Sequence, residues 1–248
     1  MKNTRALIAS LCGIFGMCLM VLSPMSVVAR AQSAPRPQDY LNRAADSLLA
    51  LKSAQFSLKR EGTPAFLDEK NGLTFSAADC IYGAPDRVSC NVKVALKNGS
   101  IVQITRVWVP EGIFQNNPLT KQFARVPPDA NFNGAALFAK TGIPDILRTG
   151  VQKIQIVNRA EKIRARDTLH LSGDVSGGKL VPLMGSTVKT ELTYPVDMWM
   201  EEASSNIVQI HVNELQGNGW LIELFATNEP VDIPTPQLPA PASPPRQN

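Results

Sequence analysis

Val88-Ser89-Cys90-Asn91-Val92-Lys93-Val94-Ala95-Leu96-Lys97-Asn98-Gly99-Ser100-Ile101-Val102-Gln103-Ile104 decides the architecture. Val88, Cys90, Val92, Val94 and Leu96 alternate with Ser89, Asn91, Lys93 and Ala95, the period of a strand with one buried face. Asn98-Gly99 then supplies a hairpin turn, because both residues tolerate positive φ. Val102 and Ile104 resume on the return, which runs to Trp108 and Val109. Asn98-Gly99-Ser100 also fits a glycosylation sequon, but the turn accounts for it.

The same period extends outward in both directions. Upstream, Phe56 and Leu58 alternate with Gln55, Ser57 and Lys59, and Leu73, Phe75 and Ala77 alternate with Thr74 and Ser76. Downstream, strands are expected at 151–157, 162–175, 196–201, 207–212 and 220–225. Leu41, Ala44, Ala45, Leu48 and Leu49 recur at helical spacing, with Asp39 placed to cap them. Gly134 to Gly150 breaks the strand pattern and suggests a second helix or two short turns. Residues 177–194 fit a short helix or a long loop. This makes about nine to eleven antiparallel strands and two helical segments in one domain, and a sheet that long curls instead of staying flat. The expected class is α+β: a curled antiparallel half-barrel with helices over its concave face and an apolar cavity beneath them.

The 248 residues are 44% hydrophobic and 19% charged, with 25 Lys and Arg against 21 Asp and Glu. Lys2, Arg5 and Arg30 lie in the first 31 residues, where there is no acid, so 22 basic residues face 21 acidic ones in the remainder. No basic excess remains there to hold a phosphate backbone, which argues against nucleic acid. Ala6 to Ala29 carry no charge, Pro24 breaks the apolar run, and Ala29-Arg30-Ala31 fits signal cleavage before Gln32. The rival is an uncleaved anchor, since the run is long enough to span a bilayer. Neither Cys12 nor Cys18 follows a small residue, as a lipoprotein signal requires. The expected division is a signal peptide over 1–31, a linker over 32–38, one domain over 39–233 and a Pro-rich disordered tail over 234–248. From Pro230 onward the chain holds seven of its 19 prolines.

Export makes Cys80 and Cys90 disulfide candidates. Gly83, Pro85 and Asp86 between them read as a turn, and a turn centred on Pro85 sets the two cysteines opposite each other, roughly 4.5–5.5 Å apart. A metal site is the rival, but two thiols without a nearby His or third Cys make a poor one.

Catalytic patterns are largely missing. His170 and His211 occupy polar positions of alternating strands and read as a solvated face. Ser186-Thr187-Val188-Lys189 and Lys140-Thr141-Gly142 match motifs of penicillin-binding enzymes, but in reversed order, and are read as chance. Glu201-Glu202 falls beside a turn and reads as solvated. No nucleophile–base pair can be named. A lipid carrier needs none: each buried CH₂ contributes about 0.8 kcal/mol, so an acyl chain binds through apolar surface alone.

Several stretches in order resemble the mycobacterial LppX/LprG/LprA/LprF envelope lipoproteins: Leu51-Lys52-Ser53-Ala54-Gln55-Phe56-Ser57-Leu58 after the opening helix, Asp167-Thr168-Leu169-His170-Leu171-Ser172-Gly173-Asp174-Val175, Pro195-Val196-Asp197-Met198-Trp199-Met200-Glu201, and Leu221-Ile222-Glu223-Leu224-Phe225 with Asn228 to Pro234. The resemblance implies a helix-covered half-barrel, related in shape to the LolA/LolB carriers, that binds acylated lipids or glycolipids and transfers them across the envelope. The lipobox cysteine is lacking, which puts anchoring in doubt. The Cys80/Cys90 pair is a second departure, expected not to touch the cavity.

The resulting expectation is a non-enzymatic, monomeric lipid carrier, exported to the cell envelope or periplasm, that meets the membrane surface transiently and uses no cofactor or metal. The alternative is an interaction or sensor module of the same shape that binds a protein partner. By strand parity the cavity should be lined by Phe56, Leu58, Phe75, Val92, Val94, Met198 and Met200. Leu137, Phe138, Ile143 and Leu147 should form its lid. Methionine suits a pocket that adapts to flexible chains.

Overall fold

The computed structural model describes residues 34–68, 72–127, 134–185 and 188–239. The expected signal peptide, the serine motif at Ser186 and Thr187, and the end of the expected tail lie outside them. The first helix, α1 (Pro37–Leu49), begins two residues earlier than Asp39. Pro37 stands at the first helical position, where its missing N–H costs nothing. Arg36 is the capping residue, and Asp39 sits three positions on, its Oδ2 accepting from the Arg36 backbone N–H at 3.0 Å. The Arg36 side chain is the main cause that holds the Asp39 carboxyl below its ordinary range.

Five long strands and two short ones follow: β1 (Ser53–Glu61), β2 (Ala65–Asp68), β3 (Leu73–Gly83), β4 (Arg87–Ala95), β5 (Ile101–Val109), β6 (Gly112–Asn116) and β7 (Phe123–Val126). A 3₁₀ turn, Gly134–Leu137, leads to α2 (Ile143–Asp145), which runs into a π turn, Ile146–Gly150. Then come β8 (Val151–Ile163), β9 (Arg166–Ser176), α3 (Gly177–Met184), β10 (Thr193–Met200), β11 (Ile207–Asn213) and β12 (Gly219–Thr227). The sheet has twelve strands instead of nine to eleven. β2 and β7 have four residues each, too few to show an alternation. β8 runs to Ile163, past the expected break, because its turn to β9 is Arg164-Ala165, at φ 49° and 63° with no glycine to mark it. The ambiguous stretch from 177 starts as a helix, so more helical pieces exist than the two expected.

Along the sheet the order is β7-β6-β5-β4-β3-β1-β12-β11-β10-β9-β8, with β2 extending the β1 side of β3. Every pairing is antiparallel. Two meanders thus meet at a β1/β12 seam, and the path ends at β7 and β8. Register carries one apolar row across nine strands: Ile104, Val92, Ala78, Leu58, Ile222, Ile210, Met198, Leu171 and Ile156. Because side chains alternate between faces, that row fixes the concave side, and α1, α2 and α3 bury their apolar faces against it. The outer face carries a second cluster, Val107, Val109, Phe114 and Ile233, seated there as the chain doubles back after β12. Arg87 Nη1 donates to the Ile233 carbonyl at 2.9 Å, and Thr235 Oγ1 donates to Glu111 at 3.1 Å.

Cys80 and Cys90 are register partners in β3 and β4 and are disulfide-bonded, with Cα atoms 4.1 Å apart. Both are buried on the concave face. Closing so short a loop contributes about 3 kcal/mol. Cys80→Ser is expected to lower stability by about 2–3 kcal/mol in chemical denaturation. Labelling of both thiols in the unreduced native protein would contradict the bond.

Candidate functional site

A small apolar cavity lies between the sheet and its covering helices. Its volume is about 40 Å³. The sheet contributes Val151 and Val175 from β8 and β9, Val196 and Met198 from β10, Ile210 and Val212 from β11, and Ile222 from β12. Leu137 closes one side, Ile143, Ile146 and Leu147 come from α2 and its π turn, and Leu180, Leu183 and Met184 come from α3. Every lining residue is aliphatic or Met, so a ligand here would be held by apolar contact and no polar group is placed for chemistry.

Leu137, Ile143, Leu147 and Met198, all expected from the sequence, line this space. Phe56, Leu58, Phe75, Val92, Val94, Phe138 and Met200 are buried in the same core and are not among the lining residues. They lie where side chains fill the space. Phe138 stacks on Tyr82 with ring centroids 4.4 Å apart and meets Phe56 edge-on at 5.1 Å. Val94 faces Phe75 in register, and Phe75 packs on Trp220 at 5.4 Å. The cavity therefore belongs to the β8–β12 meander. The disulfide shares the concave face but lies in the other half.

Two glycines allow the covering pieces to seat. A Cβ on Gly142 would lie 2.0 Å from the Ala136 carbonyl oxygen, so only glycine lets the 3₁₀ turn fold tightly onto α2. A Cβ on Gly177 would lie 1.8 Å from the Lys189 carbonyl oxygen, so α3 starts flush against the returning chain. Lys179 Nζ on α3 bonds Asp145 Oδ2 on α2 at 2.9 Å. That hydrogen bond, first among the causes, holds the Asp145 carboxyl below the usual carboxylate range. α1 is tied to the rim by Tyr40 Oη donating to Glu202 Oε1 at 2.8 Å, by Ser47 Oγ donating to Asn206 at 2.6 Å and by an Arg148–Asp46 ion pair.

The outer face differs from a plain solvated surface at His170. Its Nδ1 lies 2.9 Å from Glu161 and its Nε2 2.9 Å from Asp197, with the ring stacked on Trp199 at 4.3 Å. The side chain is only 13% exposed, so the expectation of a freely solvated histidine is corrected. Its polar position was legible, but its partners come from β8 and β10, and bulges in β8 bring Glu161 within reach. His211 lies 3.2 Å from Glu61. Glu202, expected to be solvated, accepts from Tyr40 and from Arg159. Among the described residues, no group of three or more His, Cys, Asp or Glu could hold a metal. No described helix is long and apolar enough to cross a membrane.

Comparison with known proteins agrees with this geometry. Residues 36–233 match the model of the LppX_LprAFG lipoprotein family. LprF from Mycobacterium bovis shares the fold at a TM-score of 0.67 and 18% identity, over 82% of this chain and 98% of that one. Lipoprotein LppX of Mycobacterium tuberculosis gives 0.59 and 16%, over 82% and 100%. No curated protein matches in sequence. With its unclosed twelve-stranded sheet and a family match over most of its length, the chain belongs to the LppX_LprAFG lipoprotein family.

Proposed function

We propose that this protein is an exported, non-enzymatic carrier that binds an acylated lipid or glycolipid and moves it within the cell envelope. The observation that carries the reading is the cavity, lined wholly by aliphatic and Met side chains and covered by short helical pieces, in a member of this family. Long acyl chains gain roughly 10 kcal/mol gross from such burial before ordering costs.

At about 40 Å³ the cavity holds a few water-sized groups, far short of a long chain. Binding therefore requires α2 and α3 to move off the sheet. Their construction suits that. α3 has eight residues, an internal Pro182 and no side-chain cap, and Leu180, Leu183 and Met184 are its buried anchors. The Lys179–Asp145 pair links the two pieces to each other and is exposed to solvent, which screens it, so it holds the cover only weakly.

Native mass spectrometry of protein purified without detergent provides the test. The expected spectrum shows a population carrying the mass of an acylated lipid, released on collisional activation. Protein that stays lipid-free after incubation with a total envelope lipid extract would overturn the reading.

A further inference from the structure

The outer face of the first meander carries a seat that is larger than what fills it. Elsewhere that face is polar: the cross-strand row Thr105, Asn91, Asp79, Ser57 and Glu223 is what a sheet presents to water. Two residues along β5 it turns apolar. Val107 and Phe114 face each other in register, Val109 follows, and all three are buried. Ile233, from the segment that leaves β12, is the buried side chain packed on them. Val231 and Ile233 also lie over Gly83 of β3, where a Cβ would stand 3.4 and 3.5 Å from them. We propose that this seat docks an extended segment of a partner protein, one presenting an aliphatic residue followed by proline, and that residues 229–235 hold it closed in the free chain. The apolar cavity lies on the opposite face, so a lipid held there and this partner do not compete.

The chain's own segment shows what fits. Its carbonyls at Glu229 and Ile233 accept from Ser53 Oγ and from Arg87 Nη1. Thr235 Oγ1 donates to Glu111 beyond them. Pro230 and Pro234 restrict the backbone, so an extended segment of this kind is ordered at low entropic cost. Arg87 is also paired with Glu111 at 3.6 Å, so recognition rests on the aliphatic contact and the two carbonyls and not on free charge. Two features mark the segment as a plug and not a permanent layer. First, between it and the sheet lies a cleft of about 470 Å³, against about 40 Å³ under the helices. Lys52, Ser53, Gly83, Ala84 and Arg87 line its sheet side. A segment that only covered Val107 and Phe114 would close that space; a partner with larger side chains would fill it. Second, among the described residues no backbone–backbone hydrogen bond joins 229–235 to a strand, and Ile233 is its one buried side chain. Asn228, at φ 61° with its Oδ1 accepting from the Lys52 N–H at 2.8 Å, sets the turn out of β12, so the plug can lift without disturbing the sheet.

Fluorescence anisotropy of a labelled peptide with the sequence of residues 229–239, titrated with the full chain, tests this. In the parent the tethered segment competes at high effective concentration, so the peptide should bind weakly. Ile233→Ser in the protein loosens the plug and leaves the seat intact. It should raise the peptide's affinity at least about tenfold, the factor expected when a site closed roughly nine-tenths of the time is opened. Gly83→Leu added to that variant sets a side chain where Val231 and Ile233 lie, and should abolish the gain. A peptide carrying Ile233→Asp should not bind. Thermal unfolding confirms that each protein variant is folded, and Thr235→Val, which releases the far end of the segment from Glu111, replaces Ile233→Ser if that variant is not. Docking is overturned if the loosened variant binds no more tightly than the parent, if Gly83→Leu leaves its affinity unchanged, or if the Ile233→Asp peptide binds equally. Sedimentation of the parent separates the source of the segment. A dimer that the peptide dissolves would mean that copies of this chain exchange it, which overturns a separate partner protein.

Discussion

Val212→Phe is expected to leave the protein folded while cutting its lipid content about tenfold, and Val94→Trp to do the reverse. Both valines are buried on the concave face at 2% exposure. Val212 borders the cavity, so an added ring enters open space and its apolar burial offsets the strain. The cost to stability should stay under about 1 kcal/mol. The ring then occupies room that a chain would use, and displacing two CH₂ groups costs about 1.6 kcal/mol, or roughly tenfold in affinity. Val94 sits opposite Phe75, away from the cavity, where the space is filled. A Trp there overpacks by about 1–3 kcal/mol without touching the cavity. Lipid content by native mass spectrometry and midpoints of urea unfolding should be taken on both variants. Equal lipid loss in the two would place the binding space elsewhere.

Glu214→Gln is expected to destabilise the protein by about 3–5 kcal/mol, the largest effect of any single polar substitution. Arg60 and Glu214 form a two-pronged pair, Nη1 to Oε1 at 2.7 Å and Nη2 to Oε2 at 2.8 Å, with side chains only 7% and 12% exposed. Trp220 Nε1 donates to the same carboxylate at 2.9 Å, and the guanidinium lies over the Trp220 ring at 5.1 Å. Removing the carboxylate's charge leaves the guanidinium without a counter-charge, held only by the Thr63 and Gly219 carbonyls at 2.9 and 3.3 Å. The double variant Arg60→Met/Glu214→Leu should recover most of the loss, because no charge is then stranded. A double-mutant cycle in urea measures this. Additive losses would show that the pair does not act as a unit.

Sequence patterning exposed the strands wherever one face is buried and the other wet, as from Val88 to Ile104. The Cys80–Cys90 partnership was equally legible, since a short turn around Pro85 leaves little freedom in register. Three things escaped. β2 and β7 are too brief to show a period. The Arg164-Ala165 turn takes positive φ without the glycine that advertises it. α3 opens on two glycines and contains Pro182, so local preference argues against a helix that contact with the sheet nevertheless stabilises. The position of the cavity escaped for a different reason. Val92 and Met198 lie in one cross-strand row with the same parity and the same burial, yet only Met198 borders the open space. What distinguishes them is where α2 and α3 come to rest, a tertiary fact that strand alternation does not encode.

The seam between the two meanders has a consequence for how the chain must fold. Ala54 in β1 pairs with Thr227 in β12, so the middle of the sheet joins the first strand made to the last. Each meander can zip locally through short turns, but the joint waits for nearly the whole domain and carries the largest loop-closure entropy. Until then β1 and β12 each present an unpaired edge beside an apolar face, the kind of surface that recruits other chains. Once they join, the end strands β7 and β8 remain open, with the short β2, which pairs with β3 alone. β8 is irregular at three points along its pairing and bears Lys153, Arg159, Glu161 and Lys162, features that discourage a further strand from adding. Hydrogen exchange during refolding should therefore protect β4 and β9 before β1 and β12. A chain cut short before residue 219 would keep its core strands and lose the means to close the sheet.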